Sequence, residues 1–180
     1  MELTPAELTV LGLVIERPQH GYDLEQVIEQ RGIRQWTDIG FSSIYYLLTK
    51  LEQRGLLHVP EAPAAAKSRR VFHATAEGRG VAARNALAFV AEARPTPHPL
   101  LVGVANLSLL SAQQYVQALR TRLAQIEARI AAVQAVQGVQ QAEATLPLAA
   151  REVFSYSLSL MEAERQWLAS RAQVPGDEQD

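Results

Sequence analysis

Apolar residues recur at helical spacing along most of this chain, broken in one place by two short runs with the residue preferences of strands. Thr4-Pro5-Ala6-Glu7 opens the first helix. Threonine is its cap, proline sits where no N–H bond is needed, and glutamate reaches back from the third position. Leu8, Leu11 and Ile15, with Val14 beside them, form its buried stripe, and Pro18 stops it. A second short helix follows Gly21, with Leu24, Val27 and Ile28 at helical spacing and Gly32 as terminator. A third runs from a cap near Ser42 to Gly55. Its Ile44, Leu47, Leu48 and Leu51 fall at i, i+3, i+4 and i+7, one face of a rod. At about 100° per residue, Ser42, Tyr46, Thr49 and Gln53 take the opposite face, with Lys50 on its flank and no acid among them.

Residues 56–59 and 70–74 are two β-like runs around a polar loop, which predicts a hairpin, and Thr75 caps a fourth helix running to about Ala93. Helix, helix, helix, hairpin, helix is the order of a winged helix-turn-helix. Pro95, Pro97 and Pro99 then make residues 95–99 an extended spacer. Beyond a mostly apolar stretch, Ser111 caps a long helix. Its Val116, Leu119, Leu123, Ile126, Ile130 and Val133 alternate spacings of three and four. Gly138 and the glutamines around it are expected to break that seam. A last helix starts at Pro147, with Leu148, Phe154, Leu158, Met161 and Leu168 on one broad face and Trp167 beside it.

The expected architecture is therefore mostly α. A winged helix-turn-helix domain spans residues 1–94, a Pro-rich linker 95–99, an antiparallel helical dimerisation region 100–172, and a disordered tail 173–180. The seam admits two readings, packing on the last helix within one chain or pairing between chains. Two long helices alone enclose little core, which favours a dimer contact built from Val116, Leu119, Leu123, Ile126, Ile130, Val133, Phe154, Leu158, Met161, Trp167 and Leu168. Tyr115, Tyr156, Met161 and Trp167 are either core or the lining of an effector pocket, and Trp36 reads as a core or interface anchor.

Charge sharpens this picture. The formal total is −2, but seven cations against three acids leave +4 over residues 50–84, and residues from 95 onward carry −2. The chain has no cysteine, hence no disulfide or thiolate chemistry. The N-terminus lacks the basic-then-apolar pattern of a signal peptide, and no apolar run reaches the ~18 residues of a membrane span. A soluble, cytoplasmic protein is expected, with no membrane partner.

The features that carry chemistry lie in the third helix and the hairpin. An apolar back and a front of hydroxyl, phenol, amide and ammonium groups suit a rod lying in the major groove of duplex DNA. Ser42 and Ser43 would offer backbone N–H groups to a phosphate, and Lys67-Ser68-Arg69-Arg70 forms a basic wing. The DNA-facing set is Ser42, Ser43, Tyr45, Tyr46, Thr49, Lys50, Lys67, Arg69 and Arg70. Two other readings use the same features: a winged-helix adaptor that docks the third helix on a protein, or a ligand sensor centred on the helical tail. Catalysis finds no footing. His58 and His73 can face each other across the hairpin, but no third ligand stands at metal spacing and no phosphate loop or nucleophile elbow occurs, so no cofactor or metal is expected.

His20-Gly21-Tyr22, Ser43-Ile44-Tyr45 leading to Leu48 and Leu51-Glu52, Gly55-Leu56-Leu57, and Phe72-His73-Ala74-Thr75-Ala76-Glu77-Gly78-Arg79 together resemble the PadR-like transcriptional regulators. The resemblance covers roughly residues 3–90 and extends thinly to Glu164–Leu168 in the tail. It implies a homodimer on an inverted-repeat operator, usually a repressor, often released by a small-molecule effector. Carried over, it places Ser43 and Tyr45 near DNA, Lys50 as a backbone clamp and Lys67, Arg69 and Arg70 on the wing, with Tyr22 bracing the second helix against the third. Ser42 and Tyr46 depart from the family's frequent glycine and proline.

Overall fold

The Thr4 capping box forms. Glu7 N–H donates to Thr4 Oγ1 at 3.2 Å and Thr4 N–H to Glu7 Oε2 at 2.8 Å, which starts α1, Pro5–Glu16. The computed structural model describes residues 1–37, 39–40, 43–60, 70–93, 95–143 and 147–173. Within them the elements are α1, α2 (Gly21–Gln30), α3 (Ser43–Gln53), β1 (Leu57–His58), β2 (His73–Ala74), α4 (Ala76–Ala91), α5 (Pro99–Ala105), α6 (Ala112–Glu143) and α7 (Leu148–Ala172). They form two units, Met1–Pro95 and Thr96–Asp180. Among the described residues no helix is long and apolar enough to cross a membrane.

In the first unit α1 is central, touching α2, α3, α4 and β2. Its buried set is Glu7, Val10, Leu11, Leu13 and Val14, while Leu8 and Ile15 are only half-buried. The stripe read from the sequence was one edge of this wider face, because a helix enclosed on several sides is apolar over most of its circumference. Gly32, at φ 62°, ends α2 in the left-handed region that glycine adopts without strain. Trp36, expected as an anchor, is half-exposed just beyond. In α3, Ile44, Leu47, Leu48 and Leu51 are all buried, as the spacing predicts.

The strands are shorter than expected. β1 and β2 pair antiparallel, Leu57 opposite Ala74 and His58 opposite His73. A bridge between Gln19 and Phe72 ties the α1–α2 connection onto the same ladder, so the wing is anchored to the helical body at its base. Thr75 caps α4 by accepting from Gly78 N–H at 2.9 Å, and its hydroxyl donates to Gly55 O at 2.8 Å. Asn85, buried in α4, accepts Leu3 N–H at 2.8 Å and donates to Met1 O at 3.1 Å, pinning the chain's first residues.

In the second unit the proline spacer ends one residue early, since Pro99 is the first residue of α5. Ser111 and Gln114 form a second reciprocal cap for α6. That helix runs through Gly138 to Glu143, where a break was expected. One interior glycine costs only about 1 kcal/mol, which a long run rich in alanine and glutamine absorbs. α7 lies antiparallel on α6: Arg120 Nε meets Ala172 O at 3.3 Å, and Arg122 pairs with Glu164. Leu119, Ile126, Ile130, Leu168 and Ala172 are buried between them, with Tyr115, Leu123, Leu158, Met161 and Trp167 packed around. Val116, Val133 and Phe154 are half-buried. Most of the seam is thus core within one chain. The expected disordered tail, from residue 174 on, lies outside the described residues.

Candidate nucleic-acid interface

The apolar back of α3 fixes which of its residues face solvent. Tyr46 is 65% exposed and Tyr45 53%, with Thr49 and Gln53 also exposed. Thr49 donates its hydroxyl proton to Tyr45 O at 3.0 Å, leaving the oxygen as an acceptor. Ser43 N–H donates to Gly40 O at 3.1 Å, so it is not an open phosphate donor as the sequence suggested. Ser42, Lys67 and Arg69 lie outside the described residues.

Tyr45 is also fixed from behind. A Cβ placed on Gly21 would come 2.6 Å from its ring, so glycine at the start of α2 leaves the room that the ring occupies. Tyr22 is itself half-exposed and lines, with His20, Tyr45, Thr49, Arg70 and Phe72, an open cleft of about 600 Å³ between α2, α3 and the base of the wing. His20 and Tyr22 stand outside the DNA-facing set read from the sequence, which gave Tyr22 only a bracing role; the Gln19–Phe72 bridge that ties the start of α2 to the wing is announced by no local pattern.

The two described cations of the expected DNA set both have partners. Lys50 Nζ lies 2.9 Å from Glu7 Oε1, and Arg54 Nη1 reaches the same oxygen at 2.8 Å. Glu7 is only 2% exposed. Burial raises its pKa, but the Thr4 N–H, Lys50 and Arg54 outweigh that and hold it below its ordinary 4.5. Lys50 is thus a counter-ion that fastens α3 to α1, a partner that the sequence reading did not give it. Arg70 Nη2 contacts both oxygens of Glu52 at 2.6 and 2.7 Å, and its guanidinium lies over the Phe72 ring, 5.2 Å from the centroid.

Because the folded pKa of Glu7 is depressed, its charge stabilises the fold above the ordinary carboxylate range, and that stability is lost as pH falls through the folded value. Glu7→Gln should cost about 1–3 kcal/mol at neutral pH, and the gap to wild type should close as pH drops from 4.5 downward. Thermal unfolding across pH measures this; a gap that stayed constant would reject the ion-pair assignment.

His58 and His73 do face each other, ring centroids 5.5 Å apart, but no group of three metal-ligating side chains occurs among the described residues. Tyr115, Met161 and Trp167 pack against the α6–α7 core while Tyr156 stands 68% exposed.

Residues 10–84 match the family model of PadR-like transcriptional regulators. Among solved structures the chain is similar to Bacillus subtilis PadR in complex with operator DNA (18% identity, TM-score 0.75, covering 94% of this chain and 97% of that one). It is also similar to the same protein in complex with p-coumaric acid (18%, 0.71, 92% and 95%) and to the Vibrio cholerae virulence activator AphA (19%, 0.72, 92% and 95%). At these identities the likeness is one of fold. No curated protein matches the chain.

Proposed function

We propose that this chain, whose residues 10–84 match the family model of PadR-like transcriptional regulators, is a homodimeric transcriptional regulator that reads an inverted repeat in duplex DNA. The observation that carries the reading is the uncharged, hydrogen-bonding front of α3. Tyr45, Tyr46, Thr49 and Gln53 stand exposed above a fully apolar back. In the major groove, phenol, hydroxyl and amide groups meet base edges, and rings meet thymine methyls. The cleft beside the wing would take the adjoining sugar-phosphate, with His20, Tyr22 and Arg70 at its wall. The basic loop through Lys67 and Arg69 would supply the remaining phosphate contacts.

Two such rods need a paired stalk. The outward side of α7 carries Leu148, Val153, Tyr156 and Leu160, all exposed in the single chain, and α5 exposes Leu101 and Val102. Exposed apolar side chains gathered on one side of a helix suit an interface. We place the dimer contact there, beside the half-buried Val116, Val133 and Phe154. Leu160→Asp should convert the dimer to monomer at micromolar concentration with helicity retained. Sedimentation and circular dichroism check this; an intact dimer would move the contact elsewhere.

Repression, relieved by a small molecule, is the output proposed. Bacillus subtilis PadR has been crystallised both with operator DNA and with p-coumaric acid, which supports a ligand-gated reading. AphA, a virulence activator, shares the fold, so the sign of regulation is tested separately, in a promoter reporter with and without the protein. Selection of bound sequences from a random duplex pool tests the function itself. The expected result is a palindrome with half-sites about 34–36 Å apart. Failure to enrich any sequence would favour the adaptor reading, which the exposed tyrosines and internally paired cations also suit.

A further inference from the structure

The Arg70–Glu52 pair joins the base of the wing to the flank of the recognition helix, at the edge of the cleft. Its geometry is uneven. One nitrogen, Nη2, serves both carboxylate oxygens, and among the described residues no hydrogen bond or ion pair engages Nε or Nη1. Arg70 is 56% exposed at its side chain and Glu52 27%, so the pair is open to solvent and to anything that approaches α3. Glu52 is the one acid of α3, and it presents to Arg70 two oxygens, much as a phosphodiester would.

We infer that Glu52 holds Arg70 back from DNA: it occupies the Arg70 guanidinium as a phosphate surrogate, and Arg70 is handed to a DNA phosphate only when α3 is fully seated. This rests on the DNA-binding reading above. On an arbitrary duplex the protein makes few base contacts, the backbone lies loosely over the cleft, and exchanging one oxyanion for another gains nothing. On the cognate site the base contacts of α3 press the sugar-phosphate into the cleft, and the exchange proceeds. The acid therefore charges the seated complex the energy of the broken pair, and keeps the Arg70 phosphate contact out of the loose one. The stacking of Arg70 on Phe72 keeps the side chain at the cleft wall throughout.

The test is a salt titration of wild type, Glu52→Gln, Glu52→Asp, Arg70→Ala and the Glu52→Gln/Arg70→Ala double variant on the selected duplex and a scrambled one. Glu52→Gln should tighten binding to the scrambled duplex about two- to fivefold, the range in which an exposed ion pair competes. It should also steepen the salt slope on that duplex by about 0.9, one added phosphate contact. On the selected duplex, where Arg70 already meets the phosphate, Glu52→Gln should tighten binding at least as much while leaving the salt slope unchanged. Glu52→Asp keeps the charge but shortens the reach, and should move both quantities the same way by less. In the Arg70→Ala background the gain should vanish. A gain that persists there would mean simple repulsion between Glu52 and DNA, and would overturn the inference, as would weaker binding of Glu52→Gln to both duplexes or no change at all. Wild type that bound neither duplex would remove the DNA-binding reading itself, a different failure visible in the same titration.

Discussion

Replacing Gly78 by alanine should destabilise the N-terminal unit by about 3 kcal/mol or more, at the upper end of what overpacking costs. A Cβ at this position would lie 2.2 Å from the carbonyl oxygen of Leu56 and 3.0 Å from its carbon, both backbone atoms that no rotamer change can move aside. That same oxygen accepts Thr75 N–H at 3.1 Å and lies 3.2 Å from the Thr75 hydroxyl, whose proton it shares with Gly55 O, so pushing α4 away also strains the bonds that hold its cap. The melting temperature should fall by about 10–20 °C for a domain of this size. Gly12→Ala is the control. Nothing lies within 4 Å of its added Cβ, and there alanine should be neutral or stabilising by up to about 1 kcal/mol. Calorimetry on the two variants measures both numbers. Gly78→Ala melting within a degree or two of wild type would mean that α4 sits farther from β1 than described.

The second large effect concerns binding. Ending the chain after Pro95 should leave a folded, monomeric head, because the apolar cluster of the first unit draws on residues from Leu3 to Ala82. Affinity for the selected palindrome should fall about 10²- to 10⁴-fold, since linking two half-site contacts makes the second one intramolecular. The salt slope should drop to about half, as half the phosphates are engaged. Fluorescence anisotropy with the truncated and full chains gives both quantities. A truncated head that stayed dimeric, or bound as tightly, would refute the division into reading head and pairing stalk.

How much of this could be read from the chain depends on how local each cause is. The four leucine and isoleucine positions of α3 and the caps at Thr4, Ser111 and Thr75 were legible, because each is settled within a few residues. Charge was misread for the opposite reason. Lys50 and Arg70 counted as available cations, yet their partners are 43 and 18 residues away, Glu7 and Glu52, and no spacing rule reports such pairs. Glu7 announced itself only as a capping residue. In the tail, periodicity showed that Leu119, Ile126, Ile130 and Leu168 are buried, but not against which chain, since a seam looks the same from either side. The surface left over on α7, Val153, Tyr156 and Leu160, was hidden in the sequence by the breadth of the apolar face around it.

The contact between Gly21 and the Tyr45 ring divides the front of α3 into a fixed and a free part. The Tyr45 ring lies against the start of α2, whereas Tyr46 and Gln53 project outward, where substitutions ordinarily shift stability by no more than about 0.5 kcal/mol. Duplicated copies of such a gene could therefore acquire new target sequences through two letters of the helix, with the third held as a shared anchor, and drift apart in vocabulary without first having to regain a stable fold.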